Sequence, residues 1–140
     1  MRLLILFMLV IFGTPALAAC EDAGPAASFI KQHWLSQMGS ERRTCIFYGD
    51  YSGDGAADAV AFYYYEKPQH GRYQKPGEGV VLEAALFRRE GGGYRFDGSA
   101  DIGGENPRNV TFGDRKIMVD TTVAWRDPGI DRTWTVRAPN

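Results

Sequence analysis

Thr44-Cys45-Ile46-Phe47-Tyr48-Gly49-Asp50-Tyr51-Ser52-Gly53-Asp54-Gly55-Ala56-Ala57-Asp58-Ala59-Val60-Ala61-Phe62-Tyr63-Tyr64-Tyr65 is the stretch on which the reading of the fold turns. Its two ends are rich in aromatic and β-branched residues and read as strands. Its middle is polar and glycine-rich, so the stretch folds most simply as two antiparallel strands joined by a loop. In the second strand Val60, Phe62 and Tyr64 point one way and Ala61, Tyr63 and Tyr65 the other. The run 62–65 is a candidate sugar-stacking or partner surface. The plainer expectation is that both faces are covered, one by sheet and one by a helix.

Within the loop, side-chain oxygens recur at every second residue from Asp50 through Ser52 to Asp54. Gly55 follows at once, and Asp58 closes the segment. Calcium is a hard cation that takes six to eight oxygens at roughly 2.3–2.6 Å, so a short loop must curl and point alternate side chains inward. Gly55 permits the sharp turn because it lacks the Cβ that resists positive φ. The carbonyl of Ala56 would supply the next oxygen. A bare turn is the alternative, since Ser-Gly and Asp-Gly pairs form turns without metal, but three carboxylates in so short a loop repel one another unless a cation offsets them.

The spacing resembles the Asp-x-[Asp/Asn]-x-Asp-Gly-x-x-Asp loops of FG-GAP and VCBS-type repeats and, more distantly, those of dockerins and EF-hands. The resemblance covers this loop alone. It implies one calcium ion held by the side chains of Asp50, Ser52, Asp54 and Asp58 and by the carbonyl of Ala56. Ser52 stands where Asp or Asn is usual, which weakens the site. Ala61 stands where an EF-hand has its bidentate Glu, which argues against a helix-loop-helix sensor. No internal repeat accompanies the loop, and that counts against a propeller.

Residues 1–19 read as a secretory signal peptide. Arg2 precedes the apolar run 3–12, too short to span a membrane, and small residues follow to a cleavage point after Ala18 or Ala19. The remainder, 20–140, is expected to be one exported α+β domain, periplasmic or secreted, with one core. Removing the leader takes Arg2 from the 16 basic residues and none of the 17 acidic ones, so the slightly acidic chain has no electrostatic reason to bind nucleic acid. Cys20 admits two fates. With Cys45, the other of two cysteines, it would form a disulfide, the first reading of an even count in an exported protein. Leu17-Ala18-Ala19-Cys20 also resembles the bacterial lipobox, in which the cysteine is acylated and the protein becomes a membrane-anchored lipoprotein.

Pro25 suits the first position of a helix running to Met38. Phe29, Ile30, Trp34 and Met38 would lie on a sheet, with His33 on the same face as a buried or rim residue. Further strands are expected at 79–89 and 94–102, joined by a hairpin at Glu90-Gly91-Gly92-Gly93, then at 110–112 before a turn at Gly113-Asp114. In the next strand, 116–126, Ile117, Val119, Thr121, Val123 and Trp125 alternate with Met118, Asp120, Thr122, Ala124 and Arg126. A last strand follows, with Trp134 and Val136 inward. The expected fold is therefore α+β, one N-terminal helix packed on an antiparallel β-sheet meander of six or seven strands.

Such a meander places the calcium loop, the Gly91 hairpin and the Gly113 turn at one end, and segments 66–78, 103–108 and 127–131 at the other. The second end carries the long loops, where binding usually resides. Lys67, His70, Arg72, Tyr73 and Lys75, approached by Arg108, form the candidate contact loop for a protein or glycan partner. A periplasmic inhibitor would be one such role. The alternative is a small cell-wall or polysaccharide hydrolase with His70 and Glu78 or Glu105 as acid and base. No metal-binding His/Cys cluster, phosphate-cradling glycine loop or nucleophile elbow supports an enzyme, and no catalytic residue is assigned.

Overall fold

A computed structural model describes residue 20 and residues 23–38, 45–66, 80–122 and 131–139. One helix, α1 (Ala27–Met38), precedes seven strands: β1 (Cys45–Gly49), β2 (Asp58–Glu66), β3 (Val80–Glu90), β4 (Gly93–Ile102), β5 (Glu105–Gly113), β6 (Lys116–Thr122) and β7 (Asp131–Arg137). The expected single meander is corrected here. The strands form two antiparallel sheets, ordered β1-β2-β3-β4 and β5-β6-β7.

The split follows from what β2 and β3 must bury. Val60, Phe62, Leu82, Ala84 and Leu86 face Val110, Ile117, Val119 and Val136 of the second sheet, with Tyr64 packed at the margin. On the opposite face Ala59, Ala61, Tyr63, Ala85 and Phe87 meet Ala26, Ala27 and Ile30 at the start of α1. Strands apolar on both sides need a layer over each, so the molecule is three layers deep: helix, four-stranded sheet, three-stranded sheet. On the helix-facing side Ala59, Ala61 and Ala85 lie among the larger Ile46, Tyr63 and Phe87.

The chain changes sheets at Gly103-Gly104. A Cβ on Gly103 would lie 2.8 Å from Trp134 Cζ2, and one on Gly104 (φ +87) would lie 2.5 Å from Thr121 Oγ1. The corner therefore presses its backbone onto the second sheet. Buried Thr121 fastens it, accepting a hydrogen bond from Trp134 Nε1 (2.9 Å) and donating one to the Gly103 carbonyl (2.8 Å).

The hairpin at Gly91-Gly92 forms as expected, with both glycines at positive φ and Glu90 opposite Gly93. β5 is longer than the expected 110–112. It starts at Glu105 and passes two irregularities, where Asn106 and Asn109 each adopt φ 52. Asparagine tolerates that conformation better than most residues with a Cβ, and each bulge admits one extra residue against β6. β6 is described to Thr122, and the expected continuation to Arg126 lies outside the described residues.

Candidate metal loop and contact end

Residues 50–57 close the β1–β2 hairpin, because Gly49 pairs with Asp58. Gly53 (φ +81) and Gly55 (φ +84) turn the backbone, as the sequence requires of Gly55. The Asp50 carboxylate sits inside this curl. Its Oδ1 accepts from Gly53 N (2.6 Å) and from the Ser52 hydroxyl (3.2 Å), and its Oδ2 accepts from Gly55 N (2.8 Å). Burial by itself pushes the Asp50 carboxyl up, but the hydrogen bonds from Gly55, Gly53, Ser52 and Asp54 together hold it below the usual carboxylate range. Asp54 Oδ1 accepts from Ala56 N at 2.9 Å.

Asp58 behaves differently. It is fully buried, and its two oxygens accept from Ser52 N (2.9 Å) and from Arg89 N of β3 (2.8 Å). A buried carboxylate is tolerable only when its oxygens are so engaged. Asp58 thus joins the start of the loop to the neighbouring strand. Among the described residues no group of three or more His, Cys, Asp or Glu side chains converges as around a metal ion.

Tyr51 is the residue that the oxygen spacing passes over. Its ring is 1% exposed in the core between the sheets. Its hydroxyl donates to Asp97 Oδ2 (3.0 Å), and its carbonyl accepts from Arg115 N (2.9 Å) in the β5–β6 turn. Burial, with the hydrogen bond to Asp97 and the charges of Asp97 and Asp58, pushes the phenol pKa far up. The only sequence signal was an aromatic side chain at a position alternating with the oxygens. Through Tyr51 and Asp58 the loop is tied to β3, to β4 and to the second sheet.

Cys20 and Cys45, 25 positions apart in sequence, form a disulfide with Cα atoms 5.4 Å apart. Tyr48 works beside it, its hydroxyl accepting from Ala26 N (3.1 Å) and donating to Ala23 O (3.2 Å). Together they fasten the start of the helix to β1. His33 stacks on Phe96 of β4 with ring centroids 4.8 Å apart, which places it on the rim of the helix–sheet interface.

At the opposite end β2 and β3 remain paired to Glu66 and Val80, and the connection 67–79 departs from there. Lys67, His70, Arg72, Tyr73, Lys75 and Glu78 lie outside the described residues. Arg108, expected in a loop, stands within β5 opposite Asp120. Glu105 opens the same strand and is exposed. The Tyr64 hydroxyl accepts from Asn106 N (3.0 Å), so this end of the first sheet is joined to β5. Neither family models, nor curated proteins, nor solved structures yield a match to this chain.

Proposed function

We propose that the protein is an exported, calcium-stabilised binding module that contacts a protein or glycan through the sandwich end carrying segment 67–79. One observation carries this reading. Strands β2 and β3 are buried on both faces and stay in register to the Glu66–Val80 pair, yet the chain inserts 67–79 where two residues would close a hairpin. A long excursion from so rigid a base is a usual site of recognition. Its Lys67, His70, Arg72, Tyr73 and Lys75 provide charge, hydrogen bonds and an aromatic face, and inhibition of a periplasmic hydrolase is one role such a loop serves.

Export is supported by the Cys20–Cys45 disulfide, which suits an oxidising compartment. Among the described residues no helix is long and apolar enough to cross a membrane. The disulfide uses the sulfur that a lipid anchor on Cys20 would need, which favours the unanchored form. Calcium at Asp50, Ser52, Asp54, Asp58 and the Ala56 carbonyl is supported by the curled loop and by the second lone pair left on each carboxylate oxygen that accepts one N–H. The ion would be structural. Pull-down from periplasmic extract tests the contact: replacing 67–79 with an Asn-Gly hairpin should spare the fold and abolish partner recovery. Undiminished recovery would put the contact elsewhere.

A further inference from the structure

The outer face of the β5-β6-β7 sheet holds a second feature, independent of segment 67–79. Ile117, Val119 and Val136 are buried, so Lys116, Met118, Thr135 and Arg137 lie on the opposite face. The register sets Lys116 directly against Arg137, with Gly113 on the other flank, and sets Met118 between Thr111 and Thr135. Arg137, Thr111 and Thr135 are exposed, and Met118 is 39% exposed.

Like charges directly opposite across two strands repel. Among the described residues no ion pair takes up either cation. The nearest carboxylate on that face of β6 is Asp120, four residues from Lys116 and so roughly 13 Å along the strand. It is already engaged by the Thr133 hydroxyl (2.6 Å) and Asn109 Nδ2 (3.0 Å). Helix α1 covers the outer side of the first sheet, whereas among the described residues no element packs over this one. The face therefore combines two cations with no ion-pair partner among the described residues, a flexible thioether and two hydroxyls.

We infer that this face docks an acidic protein segment carrying at least one apolar side chain. Carboxylates would relieve the Lys116–Arg137 repulsion, and Met118 adapts its unbranched side chain to an apolar neighbour. Thr111 and Thr135 would hydrogen-bond the backbone or carboxylates of the segment. A glycan fits less well, since no described aromatic ring shares the patch for a sugar to stack on. A polyphosphate chain needs a track of cations, and here Asp120 and the threonine rows interrupt one.

The test uses the full mature chain with methyl-labelled Met118 and a capped Glu-Glu-Leu-Glu-Glu peptide as probe, read by NMR at low salt. The Met118 methyl and the amides of Thr111 and Thr135 should shift together, and affinity should fall as salt rises. An all-glutamate peptide of equal charge should bind more weakly. Lys116→Glu and Arg137→Glu each create an opposite-charge pair, so both variants should melt no lower than the parent while binding the probe about tenfold less tightly. Replacement of 67–79 should leave probe binding unchanged. The proposal is overturned if the patch does not shift, or if either charge reversal or the all-glutamate peptide leaves affinity unaltered. It is also overturned if loss of 67–79 removes binding, or if a sulfated disaccharide or phosphatidylglycerol vesicles occupy the patch in place of the peptide.

Discussion

Asp58 and Tyr51 hold the polar loop to the rest of the molecule, and each makes a distinct prediction. Asp58→Ala would leave the N–H groups of Ser52 and Arg89 without their acceptor inside the fold. An unsatisfied buried donor costs roughly 1–3 kcal/mol, so urea unfolding should show a loss of about 2 kcal/mol or more. Tyr51→Phe removes only the donor to Asp97 and should cost about 1 kcal/mol at neutral pH. The raised phenol pKa gives the sign of the alkaline effect. Its stabilising share is complete below the unfolded value of about 10 and drains away as pH rises toward the folded value. Stability of the parent should therefore fall above about pH 10, and more steeply than that of Tyr51→Phe. The Asp50 carboxyl is shifted the other way. Its contribution is present above the unfolded value of about 3.9 and is lost as pH falls through the folded value. Asp50→Asn should flatten the acid limb of the urea midpoint against pH. Asp120, held low chiefly by the Thr133 hydroxyl and then by Asn109, adds an acid limb of the same sign.

At the scale of elements, alternation along β2 and β6 was legible residue by residue. It gave the two faces of β2 and the buried set Ile117, Val119 and Thr121. The glycine hairpin and the strands around it were equally plain, because two adjacent glycines accept the positive φ of a tight turn. Alternation states which side of a strand is apolar but not which strand lies beyond its edge. Hence the turn of the chain at Gly103-Gly104 into a second sheet could not be read, since it depends on Trp134 and Thr121 arriving from later in the sequence. β5 was under-read for a similar reason, as its Asn106-Pro107-Arg108-Asn109 run looks like a loop and becomes strand through bulges paired with β6. In the candidate site the curl and Gly55 were legible. The inward placement of Asp58 and the role of Tyr51 were not, because both are decided by β3, β4 and the β5–β6 turn. The corner carries its own prediction: Gly104→Ala places a Cβ against Thr121 and the Thr122 carbonyl at a φ unsuited to alanine. It should lower stability by about 2 kcal/mol or more.

Across the whole molecule, the sheets are cross-tied at both ends, by Tyr51 beside the polar loop and by Tyr64 and Thr121 at the end where segment 67–79 departs. At the loop end Tyr51 joins the two sheets through the β5–β6 turn and Asp58 ties the loop to β3, while the Cys20–Cys45 bridge fastens residue 20 to β1 opposite Phe62. By the loop-entropy argument, closing the bridge contributes about 3 kcal/mol, so Cys20→Ser with Cys45→Ser should destabilise by that order. A calcium ion in the loop would strengthen the same end. At ten times a weak dissociation constant of about 10⁻⁴ to 10⁻³ M it would add about 1.4 kcal/mol. Melting should then rise by several degrees in millimolar calcium, and Asp54→Ala should erase the rise. Equal midpoints with and without chelator, and no heat of binding, would reduce the loop to a polar turn. Segment 67–79, at the end opposite the polar loop, is proposed to make a partner contact of its own, and site-specific photocrosslinking in periplasmic extract examines it residue by residue. A photoreactive residue at Tyr73 should capture a partner while one at Gly92, in the hairpin beside the polar loop, captures none. Capture from Gly92 with none from Tyr73 would place the contact at the polar-loop end instead.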